Sequence, residues 1–191
     1  MSNDILHEVL TEFLEVWLHN VLYICNIYPS QIFRSRYKYN LSVKQSTYPV
    51  LNDHIRSLVA SLQSQLRLQA IQTLTLHVIQ DLEVQESFSL RLSFPPALPD
   101  SQTMPPEKVV AQCKDAFRGQ IVSVLSSESA HPRVPREERS WSASVATSEL
   151  VGCQMERWCW EGVPELDTTS RVTPLLFSDV GALRLQSLHR Q

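Results

Sequence analysis

The stretches Leu74-Thr75-Leu76-His77-Val78 and Phe88-Ser89-Leu90-Arg91-Leu92-Ser93-Phe94 alternate apolar and polar residues with a period of two. That period belongs to strands with one face in a core and the other toward water. With Gln80 to Gln85 as the turn between them, they predict a β-hairpin. Upstream, Pro49 opens a segment in which Leu51, Ile55, Leu58, Val59, Leu62 and Leu66 recur at the helical spacing, which predicts a helix over about 50–67. Further upstream, Asp4 to Ile27 carries apolar residues at Ile5, Val9, Phe13, Val16, Trp17, Val21 and Ile24. Leu6, Leu10, Leu14 and Leu22 widen that stripe, so the segment reads as a long helix buried on several sides. Ser2 or Asn3 can cap it, and Pro29 stops it by pushing the residue before it out of helical geometry.

Downstream of the hairpin, the proline-rich break Pro95 to Pro106 is followed by Val109, Val110, Cys113, Ala116, Phe117, Ile121, Val124 and Leu125. These mark a third amphipathic helix that ends before His131. Trp141, Ala143 and Val145 then alternate with Ser140, Ser142 and Ser144 and predict a third strand. Residues 149–191 hold Trp158, Trp160, Phe177, Leu183, Leu185 and Leu188 but no sustained period. They are too apolar for a disordered tail and are expected to wrap the domain as an extended strap. The resulting class is α+β, with three helices on one face of a small antiparallel sheet.

Composition narrows the function. The 191 residues, 43% of them hydrophobic, suffice for one domain with a real core. A net charge of −3 supplies no global positive field toward nucleic acid, so any DNA contact is expected to be indirect or local. No stretch reaches the ~18–20 apolar residues that a bilayer span needs, and no membrane association is expected. Cys25, Cys113, Cys153 and Cys159 form no Cys-x-x-Cys pair, which fits a reducing compartment better than a disulfide framework.

Catalytic signatures are missing where the chemistry would need them. The four glycines, Gly119, Gly152, Gly162 and Gly181, are too scattered for either common phosphate-binding loop. His7-Glu8 is not followed by the second histidine of a zinc-protease helix. Glu8, Glu12 and Glu15 lack the Glu-x-x-His step of di-metal bundles and read as a solvated stripe. No serine sits in Gly-x-Ser-x-Gly. No enzymatic activity and no cofactor are therefore expected. His54 reads as a hydrogen-bonded packing histidine on the apolar side of its helix, or as a contact to a bound peptide. Arg34, Arg36, Lys38 and Lys44, interleaved with Phe33, Tyr37 and Tyr39, read as a solvated loop or, alternatively, as a grip on single-stranded nucleic acid. Trp158 and Trp160 anchor the C-terminal segment or clamp a ligand.

The string Glu12-Phe13-Leu14-Glu15-Val16, followed by Tyr23, Tyr28-Pro29, Ile32-Phe33, Tyr39-Asn40 and Leu51-Asn52, resembles the HORMA-domain accessory subunits of translesion DNA polymerase zeta, relatives of the mitotic spindle-checkpoint HORMA protein. The match is dense over residues 5–66, continues more weakly through the hairpin, the third helix and Ser140 to Met155, and is restored at Arg171, Pro174-Leu175 and Leu183 to Gln186. The resemblance implies a single HORMA domain over 1–191, with a core at 1–148 and a C-terminal safety-belt segment at 149–191. It implies a fold of three helices against a three-stranded sheet. It also implies a non-catalytic nuclear adaptor in translesion synthesis and DNA repair. The client is a short peptide of the polymerase zeta catalytic subunit, captured by strand addition and closure of the belt. Other repair or checkpoint proteins, and a HORMA homo- or heterodimer, are implied as further partners, and a spindle-checkpoint or meiotic adaptor shares the mechanism. The receiving strand would be 140–148, with Trp141, Ala143 and Val145 on one face. Peptide contacts would come from His54, Trp158, Trp160, Val172, Leu185, Gln186 and Leu188.

Overall fold

The computed structural model describes residues 2–95, 105–127, 139–148 and 171–191. Helix α1 (Ser2–Ile24) is followed by a 3-10 turn at Ser30–Ile32 and a two-stranded hairpin, β1 (Phe33–Lys38) and β2 (Leu41–Ser46). Then come α2 (Pro49–Arg67), β3 (Ile71–Gln80), β4 (Glu83–Ser93), α3 (Pro106–Ser126), β5 (Ser140–Thr147), β6 (Val172–Asp179) and β7 (Arg184–Arg190). The three expected helices and the expected hairpin are present. Pro49 occupies the first turn of α2, where its missing N–H has no helical partner to lose.

The main sheet is antiparallel and five-stranded, in the order β5-β3-β4-β7-β6. It is thus wider than the three strands the family resemblance implied. Leu74, Leu76 and Val78 of β3 and Phe88, Leu90 and Leu92 of β4 turn one face toward the helices and are all buried. The β3–β4 turn is tighter than expected, with only Asp81 and Leu82 between the paired Gln80 and Glu83. Both residues take positive φ, 54° and 66°, the twist that suits a two-residue hairpin.

Two segments read as irregular are strands. The basic stretch is a hairpin whose Tyr39 and Asn40 turn at φ 52° and 54°. Asn20 of α1 locks it down: its Nδ2 donates to the Lys44 carbonyl at 3.4 Å and its Oδ1 accepts from the Lys44 N–H at 2.9 Å. The end of the expected strap, 172–190, is the hairpin β6–β7, added to the free side of β4.

Helix α1 is the centre of the core. Leu10, Phe13, Leu14, Trp17, Leu18, Val21 and Leu22 are all fully buried, because α2, α3 and β2 pack around it. Ile5, expected in the stripe, is 38% exposed. Among the described residues, no helix is long and apolar enough to cross a membrane.

His19, on the same helix, is also buried, and its Nδ1 accepts the Ser46 N–H at 3.5 Å. Burial, aided by the nearby Arg56 charge, pushes its pKa down to about 4. The folded protein therefore holds a neutral imidazole that the unfolded chain protonates below about pH 6.5. The associated stability is present above that pH and is lost as the pH falls toward 4, a drop of about 3 kcal/mol. Urea melts between pH 7.5 and 4.5 should show this loss. A His19→Gln variant, which keeps an acceptor for Ser46, should show a shallower one. Equal pH slopes for the two proteins would exclude His19 as the source.

Candidate functional site

Strand β5 is an edge. It pairs with β3 through Leu74↔Val145, Leu76↔Ala143 and Val78↔Trp141, and no other described strand flanks it. An edge strand presents a row of backbone donors and acceptors to whatever can add beside it. Because side chains alternate, Trp141, Ala143 and Val145 share the helix-facing side with buried Leu74, Leu76 and Val78.

On the opposite face, polar groups tie the first three strands together. Ser144 Oγ lies 2.8 Å from His77 Nε2, and His77 Nδ1 lies 3.1 Å from Ser87 Oγ. Thr75 and Ser89 hydroxyls meet at 3.0 Å. Burial lowers the His77 pKa, so at neutral pH a neutral ring bridges the two serines, donating from one nitrogen and accepting at the other.

Trp141 is held by two other elements. Its Nε1 donates to Tyr28 Oη at 3.0 Å, from the turn after α1. The His54 ring of α2 stands edge-on to it, at 5.2 Å and 79°. His54 is exposed, which corrects the reading of a core histidine: it sits one position before buried Ile55, on the rim of the helix. Tyr28 carried no sequence signal for this role, since its contact is with a residue 113 positions away.

The remaining candidates do not join this cluster. Val172, Leu185, Gln186 and Leu188 lie in β6 and β7, and β7 is three strands from β5, about 14 Å at the usual spacing. Leu185 is fully buried and faces the helices, so it packs the core. Gln186 and Leu188 face the other way, paired with Phe177 and Pro174. With Val172 at 47% and Phe177 at 59% exposure, they form a separate patch on the outer side of the sheet. Trp158 and Trp160 lie outside the described residues, as do Cys153 and Cys159.

The terminal hairpin is seated on α3. Gln120 Nε2 donates to Ser178 Oγ at 3.0 Å and to the Leu185 carbonyl at 3.5 Å, and its Oε1 accepts from Ser187 Oγ at 2.6 Å. Gly119 permits this close approach, because a Cβ there would lie 2.9 Å from Leu176 Cδ2. The chain thus leaves the sheet at one edge, after β5, and returns at the opposite edge as β6.

The basic stretch does not assemble a four-cation grip. Lys38 is ion-paired with Glu12. Lys44 lies 5.0 Å over the Tyr23 ring and bonds Ser35 Oγ at 3.1 Å. Tyr39 is buried, while Tyr37 is 77% exposed. Arg34 and Arg36 are exposed on the outer strand of that hairpin. Among the described residues, no group of three His, Cys, Asp or Glu side chains is placed to hold a metal.

Comparison with known proteins bears on the family and the fold. The model of the HORMA domain matches residues 7–132. The bovine (Bos taurus) protein named mitotic spindle assembly checkpoint protein MAD2B is 36% identical over 156 residues, covering 81% of this chain and 71% of that protein. DNA polymerase zeta subunit 2 of Drosophila melanogaster is 26% identical over 150 residues, covering 78% of this chain and 73% of its own length.

Among solved structures, a chain of the mitotic checkpoint complex superposes with a TM-score of 0.78 at 16% identity, covering 96% of this chain and 97% of that one. C. elegans HTP-2, bound to an HTP-3 closure motif, gives 0.72 at 14%, covering 99% and 87%. These two establish the shared fold. With the family model spanning well over half its length, the chain belongs to the HORMA domain family, and its relatives there include the accessory subunits of DNA polymerase zeta.

Proposed function

We propose that this protein is a non-catalytic nuclear adaptor that captures a short peptide of the polymerase zeta catalytic subunit, in support of translesion synthesis and DNA repair. The observation that carries this reading is the open edge of β5, with the chain departing from that edge and returning on the opposite one. A peptide added to β5 gains main-chain hydrogen bonds from the edge. Alternate side chains of the guest then fall beside His54, Trp141, Ala143 and Val145. In this reading residues 149–191 act as the belt, whose end is the docked β6–β7 hairpin, and a closed belt slows release of the guest.

The patch of Phe177, Gln186 and Leu188 supplies the second surface an adaptor needs, for another repair or checkpoint protein. A HORMA dimer would use the outward side of α3, where Asp115, Arg118 and Val122 are exposed. Two kinds of name among the relatives and neighbours support this reading, the polymerase zeta subunit and the HORMA protein bound to a closure motif.

The test is direct binding of peptides tiled across the organism's own polymerase zeta catalytic subunit, with spindle-checkpoint and meiotic closure peptides as competitors. One polymerase tile should bind with sub-micromolar Kd and slow dissociation. Preference for a checkpoint or meiotic peptide would reassign the client. Binding of no peptide at all would end the capture reading.

A further inference from the structure

The small β1–β2 hairpin has one edge closed and one edge open. Asn20 of α1 holds both backbone groups of Lys44, accepting its N–H at 2.9 Å and donating to its carbonyl at 3.4 Å. Those groups therefore point away from β1, so Lys44 and its partner Ser35 share no ladder hydrogen bonds. In an antiparallel ladder such pairs alternate with bonded ones, which turns the backbone groups of Phe33, Ser35 and Tyr37 outward from β1. The donation from Thr47 N–H to the Ile32 carbonyl at 2.7 Å follows the same alternation. The Ser30 carbonyl takes the Phe33 N–H. Beside Ser35 and Tyr37, among the described residues, no further strand is paired.

The charges on this hairpin are unequally engaged. Lys38 is paired with Glu12, Lys44 lies over the Tyr23 ring, and Glu15 has Arg56 as its neighbouring cation. Arg34 and Arg36 are exposed and form no ion pair among the described residues. Two positions apart, they share one face of β1 and stand roughly 7 Å from each other. Tyr37, on the other face, is 77% exposed.

We propose that the outer edge of β1 is a second docking surface, which adds an extended acidic peptide as a strand, with two carboxylates two residues apart set opposite Arg34 and Arg36. Main-chain bonds to Ser35 and Tyr37 supply the register. Opposite charges on facing positions of adjacent strands supply the selection. A second copy of this chain does not suit the edge. Only the odd-numbered positions of β1 bond outward, so two such edges would set cation opposite cation in every overlapping register. A nucleic-acid backbone suits it less well than a peptide, because phosphates only accept, and the outward carbonyls of Ser35 and Tyr37 accept as well. The β5 edge carries serines and apolar side chains instead, so the two edges select different guests. Docking at β1 works independently of capture at β5.

The test uses the full chain and a labelled peptide, Thr-Val-Glu-Val-Asp-Val-Thr, read by fluorescence anisotropy. The unaltered protein should bind it with a Kd on the order of 10 µM, weakening as salt rises. Reversing both charges, Arg34→Glu with Arg36→Glu, should weaken it at least tenfold and create binding of the matching peptide with lysines in place of the acids. Ser35→Pro removes an outward N–H without breaking a bond to β2 and should also weaken binding at least tenfold. Should that variant fail to fold, the acidic peptide methylated on alternate amide nitrogens replaces it, and should bind at least tenfold more weakly. Hydrogen exchange with the acidic peptide should slow the Ser35 and Tyr37 amides and leave residues 140–147 unchanged. A Kd above about 1 mM, indifference to the charge reversal, or slowing at 140–147 in place of β1 overturns the proposal. Tighter binding of oligothymidylate than of the peptide also overturns it, and gives the surface to single-stranded nucleic acid.

Discussion

Trp141→Ala is expected to weaken binding of the captured peptide about a hundredfold, by some 2–3 kcal/mol, while the protein stays folded. Trp141 is partly buried at the start of the open edge, fixed by Tyr28 Oη at 3.0 Å and by the His54 ring. A large aromatic held rigid before the guest arrives loses little entropy on binding and presents a wide apolar face, which is what concentrates affinity in a few residues. Truncation removes that face and also releases His54. The remote patch supplies the control, because Phe177→Ala lies on the far side of the sheet and should leave peptide affinity within about twofold. Fluorescence anisotropy with a labelled peptide measures both. Equal affinities for Trp141→Ala and the unaltered protein would show that the guest lies elsewhere.

Phe13→Ala should cost about 4 kcal/mol of folding stability. Phe13 is fully buried and stacks on Phe117 of α3 with centroids 4.1 Å apart and planes 7° apart. Tyr39, from the turn of the β1–β2 hairpin, meets both rings edge-on, at 6.4 Å and 5.7 Å. Deleting the Phe13 ring opens a cavity bounded by elements that already pack on one another, so little collapse can fill it. For a chain of this size the melting temperature should fall by roughly 10–15 °C. Urea titration gives the free energy directly, and a loss below about 2 kcal/mol would mean that the site closes up.

The helices were legible because each buries a stripe whose spacing shows in the chain itself. Pro49 marks a start that no packing partner has to specify, whereas α1 stops at Ile24, short of the expected Ile27 and five residues before Pro29, where Asn26 turns at φ 51°. Strands β3, β4 and β5 were legible for the same reason at a period of two. The terminal hairpin was not. On β7 the inward positions are Leu185, Ser187 and His189, and two of these three look like outward residues until Gln120 and Glu86 are known to receive them. A buried polar side chain is admissible only with its partner in place, and those partners lie 67 and 103 positions away. The basic hairpin escaped notice in a similar way, because its strand pairing is stabilised by Asn20 of α1 rather than by an alternating apolar pattern of its own.

The candidate site divides along the same line. Trp141, Ala143 and Val145 were found from alternation, and His54 joins them as an exposed partner of Trp141 rather than as a core residue. Val172, Gln186 and Leu188 belong to another surface, and Leu185 to the interior.

By itself, then, the sequence determined the helices, the central strands, the exclusion of the common nucleotide-binding loops and the family likeness, all of which depend on local spacing or on framework residues spread along the chain. Only the tertiary structure decided that β5 is an edge of the sheet among the described residues, and that the terminal hairpin is added at the opposite side. Such facts depend on pairings between distant segments, and a pairing energy has no value until both partners have been brought together.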